Sequence, residues 1–119
     1  MTPQDVLDPR TLNELRESVG DDAAFFGELI DEFLADAPRQ LQALRASAAA
    51  ADREAARRAA HSLKGNARTF GAGSLAALCQ EAEASAVDGD LDAVLARIEA
   101  IDEAWIDVRT ALTAVRDAG

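Results

Sequence analysis

LDAVLARIEAIDEAWIDVRTALTAV, running from Leu91 to Val115, is the clearest helical pattern in the sequence. Its apolar residues Leu91, Val94, Leu95, Ile98, Ile101, Trp105, Val108, Leu112 and Val115 recur at intervals of three and four. At about 3.6 residues per turn that spacing gathers them on one side of a helix and leaves the charged residues on the other. A helix with one long apolar stripe is stable only when that stripe is buried against other elements. The preceding turn, Asp88-Gly89-Asp90, is short, which predicts an antiparallel neighbour.

The same signals continue toward the N-terminus. Leu75, Leu78, Cys79, Ala82 and Ala86 share one helical face. Gly71-Ala72-Gly73-Ser74 reads as a turn, with glycine ending the helix before it and Ser74 capping the helix after it. That earlier helix is predicted from a cap at Asp52 to about Phe70. Before it, Phe26, Leu29, Ile30, Phe33, Leu34, Leu41 and Leu44 form a further helical stripe, capped by Asp21 or Asp22. Pro38 falls inside this stripe and should kink or split the helix, because it has no N–H and its ring clashes with the preceding turn. Asp8-Pro9 opens a short helix through Leu12 and Leu15 to about Ser18, with Gly20 placed to stop it. No alternating apolar run, internal repeat or low-complexity linker interrupts the series. The prediction is an all-α fold, an antiparallel four-helix bundle with a short extra N-terminal helix, in a single domain over 1–119.

Composition agrees and narrows the function. A chain of 119 residues can bury one core, and 49% apolar content, much of it alanine, with only 7 Gly and 3 Pro favours helix. The net charge of −10, from 12 basic and 22 acidic residues, argues against general nucleic-acid binding. No apolar run approaches the roughly 20 residues of a membrane span, and the first residues lack the features of a signal peptide. The single cysteine excludes an internal disulfide and fits a reducing cytoplasm. These readings lead us to expect a cytoplasmic, monomeric protein, and Met1 and the tidy ends suggest a free-standing one. The Ala- and Arg-rich composition suggests a bacterium with a GC-rich genome.

Against this background one pair stands out. His61 is the only histidine and Lys64 the only lysine, every other basic residue being arginine. At about 100° per residue, Ala59, Leu63, Asn66 and Phe70 fall opposite His61, so Leu63 and Phe70 define the buried stripe and His61 faces outward. Arg57, Arg58, Lys64, Gly65 and Arg68 all lie within about 60° of it. Residues 53–70 hold Arg53, Arg57, Arg58, Lys64 and Arg68 against Glu54 alone, a local +4 on a chain of −10. Such a patch can be a merely solvated face, but around an exposed histidine it fits an anionic partner surface better.

Gly65 sharpens the reading. Glycine inside a helix costs about 1 kcal/mol relative to alanine, and alanine is used almost everywhere else. Its place beside His61 on the outward face favours close approach of another molecule over helix–helix packing. A neutral imidazole nitrogen is a competent nucleophile toward an activated phosphoryl group, and nearby cations such as Lys64, with Arg68 as a further candidate, can stabilise the phosphoryl oxygens. A third group should hold the other ring nitrogen. Glu83, one turn beyond Cys79, is the candidate, although by pattern alone a solvated surface glutamate fits slightly better. Cys79 lies on the apolar stripe and reads as core.

Taken together, His61, Leu63, Lys64, Gly65, Phe70, Gly71, Ala72, Leu75, Cys79 and Glu83 resemble the pattern of the histidine-containing phosphotransfer domain family. The motif spans part of the third and fourth helices, and the helical layout is similar over the full length. The resemblance implies phosphoryl exchange with response-regulator receiver domains and cytoplasmic location. His61 then resembles the phosphorylated histidine, Lys64 the phosphoryl-stabilising lysine, and Gly65 the small residue that lets the receiver dock among Arg57, Arg58, Lys64 and Arg68. Glu83 would orient His61. The expected role is a phosphorelay intermediate that accepts from one receiver and donates to another, with a hybrid histidine kinase as a further candidate partner.

No kinase or ATP-binding activity of its own is expected, because there is no Gly-rich phosphate loop. Nor is a cofactor expected on this chain; any Mg2+ would sit on the receiver. The alternative is a non-catalytic helical module that binds or sequesters a receiver. A metal or hydrolytic enzyme is poorly supported, since one histidine and one cysteine cannot form a zinc site without several well-placed carboxylates.

Overall fold

The computed structural model describes residues 6–118. Five helices account for most of them: α1 (Pro9–Ser18), α2 (Ala23–Ala49), α3 (Arg53–Thr69), α4 (Gly73–Val87) and α5 (Leu91–Ala118). Helices α2 to α5 form the antiparallel bundle, each packing on its neighbours and α2 closing the ring against α5, while α1 lies across α2 and α3. No strand occurs among the described residues.

The caps explain where the helices start. Asp8, Asp22 and Asp52 each accept a backbone N–H of the first turn, from Arg10, Phe25 and Ala55, and Asp90 does the same for Ala93. Ser74 is not a cap. Helix α4 already begins at Gly73, with Ala72 at the cap position and no side-chain hydrogen bond. The reason lies in how α3 ends. Gly71 takes φ +75°, its N–H reaches Arg68 O, and Ala72 N–H reaches back to Ala67 O. Ala72 is thereby folded into the core, and the next helix starts at once. Asp8 N–H donates to Gly71 O at 2.9 Å, and a Cβ on Gly71 would meet the Asp8 backbone at 3.0 Å. Glycine is therefore required where α1 is stitched to the α3–α4 turn.

Pro38 does not split α2, which runs unbroken through it. The proline is on the exposed side, where solvent can take the place of the missing donor. The core is built from the predicted stripes: Ile30, Leu44, Leu63, Leu75, Val94, Ile101 and Leu112 are fully buried. Phe33 stacks on Phe70 with ring centroids 4.9 Å apart and meets Trp105 edge-on at 5.3 Å, tying α2, the α3–α4 turn and α5 together. Leu95 departs from its predicted place in the stripe and is 41% exposed. Of the four α2 positions that pattern alone left unsorted, Phe33 and Ala37 are core, Leu29 is half-buried and Phe25 is exposed.

Helices α3 and α4 are short, 17 and 15 residues, between long α2 and α5 of 27 and 28. Each carries small buried residues, Ala56, Ala60 and Ala67 on α3 and Ala76, Ala82 and Ala86 on α4. Small side chains let two helix backbones come close, so a side chain of modest length on one can reach the outer face of the other. That close pair carries the candidate site.

Candidate functional site

His61 and Lys64 project from α3 toward Glu83 on α4. His61 is exposed, its side chain 60% accessible, and its Nδ1 lies 2.8 Å from Glu83 Oε2. The other carboxylate oxygen, Oε1, accepts a hydrogen bond from Lys64 Nζ at 2.5 Å. Lys64 also donates to Gln80 Oε1 at 3.1 Å. Glu83 is thus the candidate orienter that pattern alone left open, and it bridges the histidine and the lysine.

Lys64 does not share the outward face with His61, as its helical angle suggested. It is buried, with only a tenth of its side chain accessible. The buried arc of α3 is displaced toward α4 and takes in Ala60, Leu63, Lys64 and Ala67. The long aliphatic stem of Lys64 packs in the interface and its ammonium meets Glu83.

Burial works against the ionised Glu83 carboxylate, but hydrogen bonds from Lys64 and His61, reinforced by the Lys64 charge, outweigh it. They hold the carboxyl below its ordinary range. An ionised carboxylate can only accept hydrogen bonds, so the proton it receives from the ring is on Nδ1. The lone pair of a neutral His61 ring is then on Nε2.

The basic patch is only partly free. Glu54 holds Arg57 through two hydrogen bonds, at 2.6 and 3.2 Å, and lies 4.0 Å from Arg58. The Arg57 guanidinium keeps the Glu54 carboxyl below its usual value. Arg53 is turned to the C-terminal end of α4, where it donates to Val87 O. Arg58 and Arg68 are exposed. Gly65 is also exposed, and a Cβ there would meet nothing within 4 Å. The fold does not need glycine at this position. Cys79 is fully buried, and burial pushes its thiol up to about 12, with Lys64 partly opposing, so it is chemically quiet. Among the described residues no group of His, Cys, Asp and Glu is placed to hold a metal ion, and no helix is long and apolar enough to cross a membrane.

Gln80 was missed from the sequence, although its place three residues before Glu83 puts both on one helical face. Glu54 as a clamp on the arginines was missed as well; its three-residue spacing from Arg57 carried the signal.

A family model for the Hpt domain matches residues 28–118, which include every one of these side chains. The crystal structure of histidine-containing phosphotransfer protein B (HptB) from Pseudomonas aeruginosa PAO1 is similar throughout. It shares 35% identity over 96% of each chain, with a TM-score of 0.88. Comparison with curated proteins gave no match.

Because bonding depresses the Glu83 carboxyl, its contribution to stability is full above the ordinary value of 4.5 and is lost as pH falls through the lower folded value. Glu83→Gln should cost about 1–3 kcal/mol at neutral pH by leaving Lys64 without its counter-charge. Urea midpoints measured down an acid series should show that deficit shrinking as pH falls below the carboxylate range. A deficit independent of pH would mean that the ion pair is not its source.

Proposed function

The chain belongs to the Hpt domain family, and from that premise we propose that it carries phosphoryl groups on His61 Nε2 between receiver domains of response regulators. The observation that carries this reading is the geometry of the ring: Nδ1 is engaged by Glu83 at 2.8 Å while the side chain is 60% exposed. The reactive nitrogen of an outward imidazole is thereby kept free of a proton at the working tautomer.

In the accepting step, Nε2 attacks the phosphorus of a receiver aspartyl phosphate. The new N–P bond forms as the P–O bond to the aspartate breaks, and the aspartate leaves as a carboxylate. Nδ1 keeps its proton, so positive charge grows on the ring and is balanced by the Glu83 carboxylate facing it. Donation to a second receiver is the reverse: a receiver aspartate attacks, the N–P bond breaks and the imidazole returns neutral. Any divalent cation used to bind the acyl phosphate is contributed by the receiver. Transfer of this kind depends on positioning and electrostatics more than on covalent work by the protein.

Lys64 supports the site chiefly by holding Glu83 in place, and its remaining N–H is within the same cluster to serve the phosphoryl oxygens. Arg58 and Arg68, with Arg57 if it leaves Glu54, supply positive charge to a receiver's acidic pocket. Partners of this chemistry are receiver domains, whether separate proteins or parts of a hybrid histidine kinase. The sequence shows no Gly-rich phosphate-binding loop, and in this reading the phosphoryl groups it relays are made elsewhere.

Incubation with a phosphorylated receiver should place acid-labile, base-stable label on this chain, and His61→Gln should take none. A folded wild type that binds the receiver yet never acquires label would leave only a sequestering module. Gly65 offers a second check. Gly65→Ala should stabilise α3 by about 0.5–1 kcal/mol, since the added Cβ meets open space, yet it should weaken receiver docking and slow transfer. Unchanged transfer with raised stability would remove Gly65 from the docking surface.

A further inference from the structure

Gln80 stands on α4 one turn before Glu83, and α3 runs antiparallel beside it. In that register His61 lies opposite Glu83, and Lys64, one turn further along α3, comes opposite Gln80. The Lys64 ammonium is suspended between two acceptors, Glu83 Oε1 at 2.5 Å and Gln80 Oε1 at 3.1 Å. An ammonium can only donate, so the oxygen of the Gln80 amide is the end turned to it. Glu83 then passes the constraint on, with one oxygen on Lys64 and the other on His61 Nδ1. A chain of three hydrogen bonds therefore joins Gln80 to the imidazole.

We propose that Gln80 is a positioning residue for His61, acting through Lys64 and Glu83. The inference rests on the phosphotransfer reading of His61 and adds a residue to it. Lysine is a point charge on a flexible four-carbon stem. With Glu83 as its sole acceptor, that ammonium is free to slide across both carboxylate oxygens and compete with the ring for Oε2. A second acceptor, fixed on the same rigid helix and one turn away, pulls Lys64 toward Oε1. Oε2 is then left to His61, the proton stays on Nδ1, and Nε2 stays outward. Gln80 is itself exposed and outside the apolar core. Its hold on Lys64 is therefore separable from the packing of the bundle.

Two substitutions of similar length test this. Gln80→Met removes the acceptor and keeps a good helix former, whereas Gln80→Glu keeps an acceptor oxygen in place. His61 is the only histidine, so long-range proton–nitrogen NMR of its ring reports without overlap which nitrogen carries the proton. Wild type and Gln80→Glu should show the Nδ1–H form, and Gln80→Met should drift toward a mixture of tautomers. With a phosphorylated receiver at saturation, Gln80→Met should transfer roughly three- to tenfold more slowly, the size expected of one hydrogen bond acting at one remove. Its receiver affinity should be unchanged, and its melting temperature should fall by no more than a few degrees.

The proposal is overturned if Gln80→Met keeps the wild-type tautomer and rate, or if Gln80→Glu loses both as Gln80→Met does. Failure of the underlying function looks different. A wild type that never takes label would end the phosphotransfer reading, while the ring spectra would still decide whether Gln80 governs the imidazole.

Discussion

The Glu83 carboxylate is shared between two side chains that would otherwise compete for it, His61 on one oxygen and Lys64 on the other. Each partner solves a problem for the other. Lys64 supplies the counter-charge that offsets the desolvation of a largely buried carboxylate, and the ionised carboxylate fixes the proton on one nitrogen of an exposed imidazole. Remove the lysine and the carboxylate would lose its counter-charge while its desolvation cost remained. Remove the carboxylate and the interface would hold an uncompensated ammonium. The ring's orientation, and with it the direction of Nε2, follows from this one shared group.

The bundle supplies the distances that sharing requires. Glutamate is not a long side chain, so α3 and α4 must approach closely for it to reach both partners. The alanines at Ala56, Ala60, Ala67, Ala76, Ala82 and Ala86 permit that approach, and the Gly71 turn sets the register by starting α4 directly after α3. The aromatic contact of Phe33 with Phe70 and Trp105 anchors the α3–α4 turn to the two long helices. The face that carries His61 lies on the far side of α3 from this core. The phosphotransfer proposed for His61 would therefore place few demands on the apolar residues beyond rigidity, and the open space at Gly65 is free to serve a partner.

Much of this was legible in the sequence because helical spacing and punctuation are local signals. The stripe from Leu91 to Val115, the aspartate caps and the outward face of His61 all follow from 3.6-residue geometry. What escaped depends on neighbours that no single helix reveals. Lys64 shares an angular sector with His61, yet α4 covers one flank of that sector and not the other, so the lysine is buried and the histidine is not. Ser74 has the chemistry of a cap, but the Gly71 turn left no extended residue there for it to occupy. Pro38 has the chemistry of a helix breaker, but it faces solvent. Leu95 fits the apolar period and still lies beyond the reach of the packed neighbours. Gln80 and the Glu54 clamp were visible as spacings, but nothing in a spacing says which of many polar pairs is made.

If Glu83 reserves Nδ1, then Nε2 is the nitrogen that carries the phosphoryl group. Nitrogen-15 and phosphorus-31 NMR of the phosphorylated protein, with its single histidine labelled, reads the bonded nitrogen directly through its coupling to phosphorus. The expected result is N–P coupling on Nε2 with the proton retained on Nδ1. Phosphorus on Nδ1 would contradict it, because that nitrogen cannot be bonded to phosphorus while it donates to Glu83.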